Sequence, residues 1–138
     1  MWYKKIELKP VITKNKPGEL IDLDINKICF NNGINFTFTK SFLITNLNSN
    51  KSRGNHSNEN AKECLFCSNG SFDIFLHNGK EKTSLKIKKN DLLFINNNVW
   101  IEMRNFVNCS IIAFVYLLPN KKKSCYDFSK FIDDNKNK

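Results

Sequence analysis

The segment Arg53-Gly54-Asn55-His56-Ser57-Asn58 carries the most unusual local chemistry of this 138-residue chain. Histidine titrates close to working pH, so His56 suits a step that removes a proton and later returns it. Arginine presents a planar fork of donors matched to phosphate or carboxylate, so Arg53 suits an anion. Asn58 cannot accept a proton at neutral pH, and its amide contributes only hydrogen bonds. Further along, Glu63, Trp100, Glu102 and Arg104 are candidates for contacting a polar ligand. Glu63 and Glu102 fall in strand-like stretches, where they either line an interior or face water. Trp100 suits a core as well as a ring-stacking wall. The other histidine, His77, sits beside the turn Asn78-Gly79. A barrel metal site groups several His with a carboxylate, so this chain is expected to hold no catalytic metal and no cofactor.

These residues must be positioned by short strands. Tyr3 to Leu8 alternates and predicts an N-terminal strand, and Lys14 to Gly18 predicts a turn. Glu19 to Leu23 and Cys29-Phe30 are short strand candidates. Asn35 to Thr45 alternates, with Phe36, Phe38, Phe42 and Ile44 expected on the core. Asn46 to Asn60 is polar and is expected to be a loop. Strands follow at Lys62 to Phe66 and at Phe72 to Leu76, separated by a turn at Asn69-Gly70. Asn78-Gly79 is the strongest hairpin signal. Ser84 to Lys88, Leu92 to Ile95, Val99 to Met103 and Cys109 to Leu118 complete the set, the last apolar enough to be buried on both faces. Tyr126, Phe128, Phe131 and Ile132 predict one side of a short C-terminal helix, followed by a frayed tail from Asp133. Strands of this number and regularity imply an all-β, cupin or jelly-roll barrel with a short C-terminal helix, one domain spanning 1–138.

Composition narrows the classes. Hydrophobic residues make up 41% of the chain and there are 12 Phe, enough for a packed core. No apolar run approaches the roughly 18 residues of a membrane span. The N-terminus lacks the apolar stretch of a signal peptide, and the cytoplasm is the expected location. The 5 Cys are expected to be reduced thiols. Cys64 and Cys67 are three apart on a strand, so they point to opposite faces and cannot share a metal. Net charge is +9, but among the 22 cations Arg occurs only at positions 53 and 104. The lysines are scattered apart from Lys121-Lys122-Lys123. Neither a clustered basic face nor interleaved aromatics is evident, so nucleic acid is not the expected partner.

The motifs together resemble the dTDP-4-keto-6-deoxyhexose 3,4-ketoisomerases. That family carries R-G-x-H-A-H, where this chain has Arg53 to Asn58. Cys67-Ser68-Asn69-Gly70-Ser71 is similar to its C-x-x-G-S pattern, and Leu76 to Lys80 to its hairpin. Val99-Trp100-Ile101-Glu102-Met103 with Phe106 is similar to its V-W-H-E-M-x-x-F. The resemblance runs from Arg53 to Phe106, and more weakly from Lys14. It implies a metal-free, dimeric jelly roll that moves a ketone between adjacent carbons of a dTDP-linked deoxysugar. A base removes the C3 proton, an enediolate forms, and a proton returns at C4. It places His56 and Asn58 at the catalytic positions, Asn58 falling on the second motif histidine. Arg53, Glu63, Trp100, Glu102 and Arg104 would bind substrate. A non-catalytic dTDP-sugar-binding relative, or an accessory subunit of the same pathway, is the alternative.

Overall fold

The computed structural model describes residues 1–119 and 124–136, so Lys121-Lys122-Lys123 lies outside the described residues. In chain order the elements are β1 (Tyr3–Glu7), α1 (Ile25–Asn31), β2 (Lys40–Ser49), β3 (Arg53–Asn58), β4 (Ala61–His77), β5 (Lys82–Lys88), β6 (Asp91–Ile95), β7 (Trp100–Leu117), β8 (Ser124–Cys125) and α2 (Phe128–Asn135). The expected all-β jelly roll with a C-terminal helix is what these elements build.

The frame is the antiparallel ribbon of β4 and β7, which runs from the pair Ala61–Leu117 to the pair His77–Trp100. Its register shifts three times between Cys67 and Asp73. Each irregularity bends and twists the ribbon. The core-facing residues change parity there: Leu65 and Cys67 before the bend, Phe72, Ile74 and Leu76 after it. The ribbon is thereby folded into two half-sheets. The first half carries β6 and β1 beside β4, and β2 beside β7. The second carries β5 beside β4, then β3 and β8 beyond β7. Between the halves lies the main core, including Phe72, Ile87, Leu93, Ile101 and Ile111.

A second apolar layer covers the outer face of the first half-sheet. Ile25 and Cys29 of α1 pack there with Cys64, Phe66, Leu92 and Phe94. Cys64 and Cys67 accordingly belong to different layers. Ile112, Phe114 and Tyr116 of β7 face this second layer while Ile111 and Ala113 face the first, so that strand is covered on both sides as expected.

Five local expectations are corrected. Cys29-Phe30 is helical, because Asp24 caps α1 by accepting from the Lys27 amide at 3.4 Å and Ile25 and Cys29 share its buried side. Asn69-Gly70 is a bend inside β4 rather than a turn between strands. The second alternating stretch pairs as β2 from Lys40, and Phe42 and Leu43 are exposed. The polar segment expected as a loop contains the strand β3, which carries the whole Arg53 to Asn58 motif. The helix α2 extends through Asn135, whose side chain is buried, so the tail is ordered further than expected.

Gly70 is the backbone device at the bend. Its φ is +69°, and a Cβ there would lie 2.0 Å from the Val107 carbonyl oxygen. Gly70→Ala must therefore unbend the ribbon or push β7 away. It should cost about 2 kcal/mol or more, the left-handed penalty plus the clash, and lower the urea midpoint accordingly. An unchanged midpoint would show that the bend does not depend on this residue.

Candidate functional site

Residues directly opposite each other across an antiparallel pair share a face. Arg53 lies opposite Met103 and His56 opposite Ile101, and both partners belong to the main core. Arg53 and His56 are three apart, while Met103 and Ile101 are two apart. A bulge at Gly54-Asn55 absorbs the extra residue. Gly54 has φ +93° and Asn55 φ +53°. A Cβ on Gly54 would sit 3.0 Å from the Ile101 carbonyl oxygen. Gly54 and the bulge thus bring the cation and the imidazole to the same inner face, which a regular strand would not do.

Asn58 continues that face, two residues beyond His56. Glu63 reaches it from β4, opposite Ile95 of the main core and Val115. The Asn58 amide nitrogen ties the two titratable groups together. Asn58 Nδ2 donates to Glu63 Oε1 at 3.2 Å and lies 3.1 Å from His56 Nε2. The amide carries one hydrogen for each, so Nε2 can accept from it when the imidazole is neutral. Ser124 Oγ donates to Asn58 Oδ1 at 2.7 Å and so fixes the amide's orientation. The Tyr126 ring lies 5.9 Å from the His56 ring, tilted by 31°. His56, Asn58 and Glu63 are each partly buried, so the cluster is neither sealed in the core nor fully in water. Burial raises the proton affinity of Glu63, opposed by the charge of nearby His56 and the Asn58 hydrogen bond.

Trp100, Glu102 and Arg104 lie on the other side of the same half-sheet. They alternate with Ile101 and Met103, so they point away from the main core. Trp100 Nε1 donates to Glu102 Oε1 at 2.8 Å, and Arg104 donates to Glu102 Oε2 at 3.1 Å. Both oxygens of that carboxylate are therefore engaged. Trp100 is covered by Phe128 and Phe131 of α2, at 5.2 and 6.0 Å between rings. His77 packs against the same two phenylalanines. A cavity of about 670 Å³ opens beside this group, lined by Phe75, Leu85, Glu102, Arg104 and Phe128 among others. The structure thus brings Arg53, His56, Asn58 and Glu63 to one face and places Trp100, Glu102 and Arg104 on the opposite one.

Sequence reasoning missed Ser124 and Tyr126. Tyr126 was legible only as a member of the C-terminal aromatic stripe; the pairing of β8 with β3 brings it to His56. Among the described residues, no group of three or more His, Cys, Asp or Glu is placed to hold a metal ion, and no helix is long and apolar enough to cross a membrane.

The bent sheet and its inner polar cluster define a cupin-like jelly roll. Residues 4–136 match the family described as FdtA: WxcM-like, C-terminal, and the chain belongs to that family. Solved structures share the fold along nearly the whole chain. One is a His-to-Asn mutant of the 3,4-ketoisomerase QdtA from Thermoanaerobacterium thermosaccharolyticum in complex with TDP-4-keto-6-deoxyglucose. It is 22% identical, with a TM-score of 0.81 over 99% of this chain and 96% of that one. WlaRA, a TDP-fucose-3,4-ketoisomerase from Campylobacter jejuni, is 25% identical, with a TM-score of 0.76 over 99% and 98%. A 3,4-ketoisomerase from Helicobacter canadensis is 26% identical, with a TM-score of 0.79 over 97% of each chain. No curated protein matches the chain.

Glu63 supplies a pH signature that depends on the fold alone. Its folded proton affinity lies above the ordinary value of 4.5. As pH rises from that value, the unfolded chain releases the proton first, so wild type loses stability relative to a variant with no carboxyl. Glu63→Gln should be more stable than wild type at neutral pH, with the difference vanishing below pH 4.5. Urea titrations at pH 4 and pH 7 check this. A wild type that gains on the variant between those values would reverse the assignment.

Proposed function

We propose that the chain is a sugar-nucleotide 3,4-ketoisomerase acting on a dTDP-4-keto-6-deoxyhexose by proton transfer through an enediolate. It would serve the synthesis of surface glycans of the O-antigen or lipooligosaccharide kind, in the cytoplasm. The observation that carries this reading is the inner-face cluster of His56, Asn58 and Glu63, with Arg53 exposed on the same face, in a chain of this family. His56 serves as an acid and base in the proton transfers, Asn58 turns an amide hydrogen from its neighbours to a sugar oxygen, and the guanidinium of Arg53 meets the diphosphate. Several relatives are named as TDP-sugar 3,4-ketoisomerases, and one His-to-Asn mutant is crystallised with its keto-sugar bound. Loss of a histidine is therefore compatible with substrate binding in this fold.

The second reading rests on Asn58 itself. An amide has no basic atom, and the motif this chain resembles has histidine there. A non-catalytic binder of the same dTDP-sugar, or an accessory subunit of the pathway, would keep Arg53 and the hydrogen bonds of Asn58 without turnover. We also propose a homodimer. The supporting observations are the edge position of β2 and its exposed Phe42 and Leu43.

Wild-type protein incubated in deuterium oxide with dTDP-4-keto-6-deoxyglucose should incorporate deuterium at C3 or C4 and yield 3-keto product. Binding without incorporation would select the second reading. No calorimetric affinity for dTDP would remove both. Light scattering should give twice the chain mass of 16.1 kDa, and a monomer mass would contradict the dimer.

A further inference from the structure

The isomerisation needs a group that holds a carbon-bound proton, and Asn58 cannot be that group. Two titratable side chains share its face. His56 lies on the same strand, and Glu63 comes from β4. The amide of Asn58 holds only one of the two carboxyl oxygens of Glu63; Oε2 takes no side-chain hydrogen bond among the described residues. The register partners of Glu63, Ile95 on β6 and Val115 on β7, are apolar. Its chain neighbour Cys64 belongs to the other layer. His56 is thus the titratable group that faces it from β3. The one carboxylate on the outer face of this half-sheet that the sequence also offered, Glu102, has both oxygens engaged.

We propose that Glu63 is the catalytic residue that takes the proton from C3 and returns it to C4, with His56 serving the hydroxyl protons. This rests on the ketoisomerase reading above. The free oxygen of the Glu63 carboxylate takes the C3 proton. The C3–H electron pair becomes the C3–C4 double bond, and the carbonyl electrons at C4 move onto O4. O4 gains a proton and O3 loses one, and His56 is the neighbour able to carry it. The electrons on O3 then form the new carbonyl at C3, and C4 takes the proton back from Glu63. C3 is oxidised and C4 reduced within one molecule, so no co-reactant is required. Partial burial supports the assignment, since it makes the carboxyl a better base than one in water.

The test compares wild type with Glu63→Gln and Glu63→Asp, using dTDP-4-keto-6-deoxyglucose in deuterium oxide. Glu63→Gln should lose C3 exchange by about a hundredfold or more, with its calorimetric dissociation constant for the sugar nucleotide within about threefold of wild type. Glu63→Asp should recover part of the exchange, which a merely structural loss would not. Exchange by Glu63→Gln within about threefold of an active wild type would overturn the inference and leave the isomerase reading standing. An inactive wild type would instead defeat the isomerase reading, and this inference with it. Should the variants fail to fold, the acid limb of wild-type exchange decides. A carboxyl limb stays in place on warming, whereas a limb that moves to lower pH belongs to an imidazole and would overturn the assignment.

Discussion

The antiparallel pairing of β4 with β7 is the interaction on which the remaining structure depends. A straight ribbon of this length would present one apolar face and leave it uncovered. The register shifts between Cys67 and Asp73 bend it instead, so that its two halves face each other across one core. Every other strand then joins an edge of one half or the other. The same bend fixes which residues face inward. Leu65 and Cys67 serve one half and Phe72, Ile74 and Leu76 the other, although their parity differs. Gly70 permits the bend because the backbone of β7 approaches it too closely for any Cβ.

A second, smaller irregularity does for the site what the first does for the fold. The bulge at Gly54-Asn55 lets Arg53 and His56 share the inner face. Asn58 follows on that face, Glu63 joins it from β4, and Ser124 of β8 and Tyr126 just after it approach the cluster. The cost is a partly buried carboxyl held beside an imidazole. A protein selected for stability alone would replace that carboxyl, so its presence points to function. Trp100, Glu102 and Arg104 satisfy one another on the opposite face, where α2 covers Trp100. Ring contacts of Phe75, His77 and Trp100 with Phe128 and Phe131 join α2 to the second half-sheet.

Much of the fold was legible because alternation is a direct record of burial. Phe72, Ile74 and Leu76, the Asn78-Gly79 hairpin and the doubly buried stretch from Cys109 all behave as their spacing implies. The failures have physical causes. The strand β3 read as a loop because it points Arg, His and Asn at a site instead of apolar residues at a core. The helix α1 is too short for its spacing to outweigh two candidate strands, and its Asp24 cap was the available signal. The candidate residues were legible by type, but their sorting onto two faces was not. That sorting depends on the bulge at Gly54-Asn55 and on the β3–β7 register, neither of which alternation reveals. Ser124 and Tyr126 reach the site only through a two-residue strand.

The proposed ketoisomerase receives its sugar at the inner-face cluster and not in the outer groove beside α2. A crystal structure of the protein with dTDP-4-keto-6-deoxyglucose tests it most directly. The hexose should lie in contact with His56 and Glu63 and the diphosphate beside Arg53. A ligand ordered instead against Phe75, Glu102, Arg104 and Phe128, with the inner cluster untouched, would contradict it.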